Sequence, residues 1–361
     1  MVEEQDPYEI IIKTLNKLAI AAPDSEEFLE YLKLYIPEED AKIVAKLDNF
    51  TGRTMSARAI AKLIGKDIEE TKDILERMVQ EGKILKINNR YALHTIIDIF
   101  DVPIMVPPEQ FKNEKVRKLA ELSENFFKKR WHKEIFGSKR PFLRVIPVEQ
   151  TIKRSQQKVS CAEELSERLK KAKTIVKTLC PCRTRQEILG KRKCDYPLEG
   201  CLMLDFHGDL IAKIGKGKVI SYEEAMDWLN EATQLGLVHL VENCEDGPYF
   251  FVCSCCPCCC IGLRGLLELG DPRAVAPSNY IAKVDIEQCT GCGFCVDRCN
   301  FKAIKIENEK AYIDRDKCMG CGNCAATCPF ITMERIEREK VPENLVALYG
   351  EIAEEKGRKL F

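Results

Sequence analysis

Cys289-Thr-Gly-Cys-Gly-Phe-Cys-Val-Asp-Arg-Cys299 and Cys318-Met-Gly-Cys-Gly-Asn-Cys-Ala-Ala-Thr-Cys-Pro329 decide the reading of this chain. Both follow one spacing, Cys-x2-Cys-x2-Cys-x3-Cys. The match extends upstream, where Asp285-Ile-Glu-Gln aligns with Asp314-Arg-Asp-Lys at an offset of 29 residues. An internal duplication is the simplest account. Three thiols at this spacing can wrap three corners of one compact inorganic centre, while the fourth is carried away to face a neighbouring one. Gly291, Gly293, Gly320 and Gly322 let the backbone come close and donate N–H bonds.

Outward from these runs, cysteine remains the anomaly. The chain has 361 residues and 20 cysteines; none precedes Cys161, and six fall between Cys253 and Cys260. Disulfide frameworks spread their cysteines, whereas metal sites bunch them. The segment from Met1 to Ile10 carries Glu3, Glu4 and Asp6 and has no basic stretch followed by an apolar run, so no secretory signal is read. No stretch approaches the ~18 uninterrupted apolar residues of a membrane helix. The expectation is a cytoplasmic chain with no membrane span. A formal net charge of −1 supplies no global field for nucleic acid or anionic membrane, and 45% hydrophobic with 31% charged residues is ordinary for a globular protein.

Residues 276–335 resemble bacterial-type two-cluster 4Fe–4S ferredoxins, a family of electron-transport modules. The resemblance implies that Cys289, Cys292, Cys295 and Cys328 hold one cluster and that Cys318, Cys321, Cys324 and Cys299 hold the other. One departure is visible: proline normally follows the fourth cysteine, and Pro329 does so after Cys328, but Asn300 follows Cys299. Asparagine still suits a turn, so the departure bears on loop geometry more than on ligation. A pair of zinc sites is the alternative, but it leaves the third cysteine of each run without a role.

Two further groups lie in the middle. Cys180-Pro-Cys182-Arg183, Cys194 and Cys201 offer four thiols, enough for one more cluster or a structural zinc. Arg183, Arg185, Lys191, Arg192 and Lys193 crowd them, and cations beside thiolates favour ionisation. Cys253-Ser-Cys255-Cys256-Pro-Cys258-Cys259-Cys260 holds six thiols in eight residues. As an extended segment it would point Cys256, Cys258 and Cys260 away from Cys253, Cys255 and Cys259, so one strand could serve two metal centres. The stretch Ile261 to Gly270 reads as a helix whose N-terminus favours an anionic centre. Cys161 and Cys244 read as packed small residues. His207 and His239 read as core or surface histidines, with iron ligation or proton relay as the alternative.

The fold expected is α+β and multidomain. Residues 1–95 carry helices at Tyr8 to Ile20 and from Ser25, then helices at 56–65 and from Asp67, then a hairpin turning at Asn88-Asn89. Helix, turn, helix and wing resemble a winged-helix domain. Residues 96–275 read as a cysteine-rich mixed α/β domain, with Val102–Pro108 and Pro141–Pro147 as connectors and a capped helix from Ser221 to Gly236. Residues 276–335 form the ferredoxin unit and 336–361 a helical tail. Cys-x-Cys-Arg, a poly-cysteine run and a two-cluster unit in one chain are similar to iron–sulfur proteins of anaerobes, a resemblance that brings no substrate.

Two functions follow. In one, electrons pass between the ferredoxin clusters, a redox partner (a ferredoxin or reductase subunit) and the middle cysteines, as in an oxidoreductase or its electron-transfer subunit. In the other, an iron–sulfur sensor binds DNA through the winged helix. Phosphate contacts dominate DNA affinity, and the helix from Asp67 to Gln80 carries Asp67, Glu69, Glu70, Asp73 and Glu76 against Lys72 and Arg77, which favours the first. Gly215-Lys-Gly217 lacks the context of a dinucleotide site.

Overall fold

The computed structural model describes residues 5–50, 52–153, 163–247, 249–338 and 340–358. It opens with helices Pro7–Leu15, Glu26–Tyr35 and Glu38–Val44. Asp6 caps the first by accepting from Tyr8 N, and Ser25 caps the second by accepting from Phe28 N. The first helix stops at Leu15 rather than running to Ile20, because the Asn16 side chain takes the Ala22 N–H at 3.0 Å and turns the chain inward. The third helix went unread: Pro37 looks like a breaker, yet it sits at the N-cap, ahead of Glu38, Glu39 and Asp40 in the first turn.

Next come β1 (Met55–Ser56), helices Ala57–Ile64 and Ile68–Gln80, β2 (Ile84–Ile87) and β3 (Arg90–Leu93). Asn88 and Asn89 take φ of 47° and 60°, the left-handed pair a two-residue hairpin needs. The three strands pair in the order β1-β3-β2.

The middle is a seven-stranded sheet: β4 (Leu143–Ile146), β5 (Ile175–Leu179), β6 (Glu199–Leu204), β7 (Gly217–Val219), β8 (Val238–Glu242), β9 (Phe251–Cys255) and β10 (Val275–Ala276). Its order is β10-β4-β8-β9-β6-β5-β7, antiparallel except between β10 and β4. The stretch Pro141–Pro147 is therefore a strand and no mere connector, because the prolines flank Leu143–Ile146 without interrupting its ladder. Helix Tyr222–Leu235 starts with a capping box between Ser221 and Glu224 and ends at Gly236 with φ 83°.

At the C-terminal end β11 (Tyr280–Val284) pairs with β14 (Ile331–Arg335), and β12 (Ile304–Glu307) with β13 (Lys310–Ile313). Helices Phe294–Asp297 and Asn323–Thr327 lie between them in sequence. The duplication is visible in the hydrogen bonds. Asp285 accepts from Glu287 N and Gln288 N at 3.1 and 3.3 Å, and Asp314 from Asp316 N and Lys317 N at the same two distances. Helix Leu345–Glu355 closes the chain, with Tyr349 against Phe142 and Lys356 bonded to Glu134 at 2.9 Å. One buried cluster includes Tyr8 of the first helix, the sheet residues Val145 and Leu240, and Ala353 of the last helix. Among the described residues no helix is long and apolar enough to cross a membrane.

Candidate metal centres

The ferredoxin cysteines surround two cavities. Cys289, Cys292, Cys295 and Cys328 line one of about 150 Å³, together with Gly291, Gly293, Phe294 and Pro329. Cys299, Cys318, Cys321 and Cys324 line a narrower one with Gly320 and Gly322. The fourth cysteine of each run thus sits at the other run's cavity. Backbone N–H groups point at the sulfurs: Ala311 N donates to Cys289 Sγ at 3.3 Å and Ala303 N to Cys299 Sγ at 3.2 Å. Such bonds stabilise thiolate charge. Glycine is obligatory at the second loop, where Gly320 has φ 69° and a Cβ would stand 2.1 Å from the Tyr280 carbonyl oxygen. Gly320→Ala is expected to cost about 1–3 kcal/mol from the backbone conformation alone, read as a lower urea midpoint with reduced iron retention.

The two cavities differ in surroundings. Cys292 is exposed and Phe294 beside it is 67% exposed, as are Ile286 and Tyr312 in part. The second cavity is sealed against the middle of the chain. Val148 N donates to Cys321 O at 2.9 Å, and Asn323, 1% exposed, donates to the carbonyls of Gly236 and Leu237 at 3.0 and 3.2 Å. Arg298 Nη2 donates to Thr233 O and Gln234 O. Asn300 uses its side chain to bond Gly236 O at 2.8 Å. That bond explains the missing proline: the position makes a docking contact that proline cannot. Neither Asn323 nor Arg298 was singled out from sequence. The signal lay in the repeat, where Asn323 occupies the place of Phe294.

The middle cysteines do not group as their sequence neighbourhood suggested. Cys180, Cys182, Cys194 and Cys201 are not one set. Cys194 leaves to join Cys256, Cys258 and Cys259, with all four sulfurs within 4.8 Å of one another. Its sulfur lies 3.8 Å from Cys256 Sγ and 3.9 Å from Cys259 Sγ, and Cys258 and Cys259 are 3.6 Å apart. The cysteine run is not extended throughout either. Strand β9 ends at Cys255 and residues 257–259 turn, so strict alternation breaks. Pro257, a residue that cannot continue a ladder, was the overlooked signal.

Cys180, Cys182 and Cys201 instead meet Cys253, Cys255 and Cys260. Antiparallel pairing of β6 with β9 sets Cys201 opposite Cys253, sulfurs 3.7 Å apart. Helix Pro181–Ile188 starts beside β5 and delivers Cys182 to Cys180 and Cys260. In each middle group the surrounding thiols favour ionisation at one sulfur. Hydrogen bonds from Cys182 and then Cys201 hold Cys180 well below the usual thiol range, and Cys256 and then Cys259 hold Cys258 down in the same way. A donor set of adjacent, buried sulfurs that stabilise anionic partners fits thiophilic metal.

Of the crowding cations, Arg183 faces the thiols. Arg185 turns away to Asp101 at 2.9 Å and Ser123 at 3.1 Å, and Arg192 bonds Cys194 O at 2.6 Å. His207 bonds Asp98 at 2.8 Å, and His239 sits between Thr233 and Ser254, depressed by burial to about 4. His239 is a core histidine and His207 is half-buried. Cys244 is buried, its thiol donating to Asp246 O and pushed up to about 12 by burial. Cys161 lies outside the described residues. None of the nineteen described cysteines is in a disulfide.

Tyr196 lies near the compact set. Burial first, then Cys256, Cys194 and Cys258, raise its hydroxyl, while Arg298 acts in the opposite direction. Arg298 itself lines the cavity of Cys299 and Cys318.

Among known proteins, no curated sequence and no solved structure matches the chain. Residues 288–331 match the family described as the 4Fe-4S dicluster domain. The match covers the whole of both cysteine runs, and the chain's C-terminal unit is a ferredoxin-like binder of 4Fe–4S clusters.

Proposed function

We propose that the chain is an electron-transfer protein or redox-enzyme subunit of the cytoplasm, in which the ferredoxin unit exchanges single electrons with a redox partner and with the thiol centres of the middle sheet. The observation that carries this reading is the crossed arrangement of cysteines around two adjacent cavities. Cys289, Cys292, Cys295 and Cys328 would hold the outer cluster; Cys299, Cys318, Cys321 and Cys324 the inner one. When bound, the clusters supply one-electron chemistry near physiological potentials. The protein's own residues set direction. Exposed Cys292 and Phe294 offer the outer site to a partner, while Asn300, Asn323 and Arg298 fix the inner site on the middle sheet. Arg298 and Arg338, which lies beside Cys318, favour the more negative reduced state there. Cys194, Cys256, Cys258 and Cys259 would bind one tetrahedral ion.

The N-terminal helices and hairpin, with their β1-β3-β2 pairing, support a winged-helix reading, and protein docking suits its charges better than DNA. Several of its cations are committed: Lys86 to Glu76 at 2.6 Å, Lys83 to Asp40 at 2.6 Å, Arg90 to Thr54 at 2.8 Å, Lys72 to Glu69 at 2.7 Å. Two anaerobic measurements test the whole. Dithionite should give the EPR of two interacting clusters, and gel shifts at low and high salt should show no sequence-selective, salt-sensitive DNA binding. Colourless, zinc-loaded protein silent after dithionite would sink the electron-transfer reading.

A further inference from the structure

The six thiols outside the compact set form a loop. Cys180 contacts Cys201, which contacts Cys253; Cys253 contacts Cys255, which contacts Cys260; Cys260 contacts Cys182, which returns to Cys180. Each sulfur has two neighbours. The six come from four segments: the start of helix Pro181–Ile188, β6, β9 and the residue capping helix Ile261–Leu267.

Geometry limits what the loop can hold. A tetrahedral ion with metal–sulfur bonds of ~2.3 Å places its sulfurs about 3.8 Å apart, all mutually close. The Cys194 set meets that edge at 3.6, 3.8 and 3.9 Å. Two ions bridged by shared thiolates would need two such tetrahedra, hence several triples of mutually close sulfurs. The loop has none: among the described residues, the Cys194 set is the one group of three or more donors all within 4.8 Å of one another. The ferredoxin cysteines fail the same criterion, as they must if a sulfide-bridged core is to fit between them. The loop therefore lacks the closed tetrahedral set of a single ion, although its neighbouring sulfurs touch, as Cys201 and Cys253 do at 3.7 Å, and it stands apart from the compact set.

A second, independent observation points to an anion at this place. Arg183 is 1% exposed, and Nε, Nη1 and Nη2 of its guanidinium all lack a hydrogen-bond partner. A buried guanidinium without a hydrogen-bond acceptor needs negative charge close by. The thiols that act on Arg183 most strongly are Cys180 and Cys201 of the loop, then Cys256 of the compact set and Cys255. Gly200 leaves the space it needs: a Cβ there would stand 2.6 Å from Nη2.

We propose that the loop of Cys180, Cys182, Cys201, Cys253, Cys255 and Cys260 holds a polynuclear, sulfide-bridged iron centre, separate from the single ion of the Cys194 set, with Arg183 as the buried counter-cation between them. The centre stands independently of the ferredoxin reading, and metal analysis separates the two. Iron, zinc and acid-labile sulfide are counted in the anaerobically purified full chain and in Cys253→Ser/Cys255→Ser, Cys256→Ser/Cys258→Ser and Cys318→Ser variants. Two ferredoxin clusters account for about eight sulfides. The full chain should exceed that count, the loop variant should lose only the excess, the second should lose one metal ion and no sulfide, and the third should lose ferredoxin sulfide alone. Arg183→Gln should move the midpoint of the non-ferredoxin signal to more negative potential, and Arg183→Lys should restore most of it. Native protein with no sulfide beyond the ferredoxin share, or with zinc in the loop, overturns the proposal whatever the variants do. A Cys318→Ser variant that keeps its full sulfide would instead sink the ferredoxin assignment and leave this one standing.

Discussion

Cys324→Ser is expected to remove one cluster, about four of the roughly eight ferredoxin irons, and to stop reducing equivalents at the outer site. Cys324 is buried at the inner cavity, on the helix that Asn323 anchors to the sheet. Serine is close in size and keeps the helix, so the loss should be of metal and not of fold. In reduced protein, the EPR of two interacting spins should simplify to that of one isolated cluster. Dithionite should still bleach that remaining cluster, while the middle thiol centres are no longer reduced within the mixing time. Unchanged iron, or an unchanged interaction spectrum, would show that Cys324 is not a ligand.

The second large effect concerns a carboxylate far from the ferredoxin unit. Glu124 is 1% exposed and accepts from Arg264 Nη2 at 2.7 Å, Arg264 Nη1 at 3.1 Å and Gln186 Nε2 at 2.9 Å. Gln186 belongs to helix Pro181–Ile188, which brings Cys182; Arg264 belongs to helix Ile261–Leu267, which follows Cys260. One side chain therefore ties together the two segments whose thiols must meet. Glu124→Ala leaves the Arg264 charge buried without its main partner, and breaking such a pair costs about 3–5 kcal/mol. Chemical denaturation of the zinc- and iron-replete protein reads this directly. The pH dependence has a definite sign. Burial works to raise the Glu124 carboxyl, but Arg264 outweighs it, so the folded value lies below the ordinary 4.5. Its contribution is present above pH 4.5 and is lost as pH falls through the lower folded value. The wild-type and Glu124→Ala stability curves should converge in acid; parallel curves down to pH 3 would refute the assignment.

Local signals in the sequence carried the element map well. Ser25, Ser56, Asp67 and Ser221 each cap the helix they were expected to open, because capping is decided within four residues. The ferredoxin spacing was legible for the same reason: its information is held in two short runs. The middle sites were not, since their grouping depends on which strands become neighbours. Cys201 meets Cys253 only because β6 pairs with β9, and no local pattern announces that register. Counting thiols along the chain therefore named these cysteines but grouped Cys194 with the wrong neighbours. Arg183 was noticed as one of five basic residues, but its orphaned burial, which sets it apart from the others, is a tertiary property.

The repeat also records a history. Positions 294 and 323 descend from one ancestral site, yet Phe294 faces water and Asn323 is locked onto Gly236 and Leu237. One half of the repeat is fixed to the middle sheet while the other half stays exposed. The outer half cannot repeat that joint: Phe294, Thr327 and Pro329 stand where Asn323, Arg298 and Asn300 donate to the carbonyls of residues 233–237, and neither Phe nor Pro carries a side-chain donor.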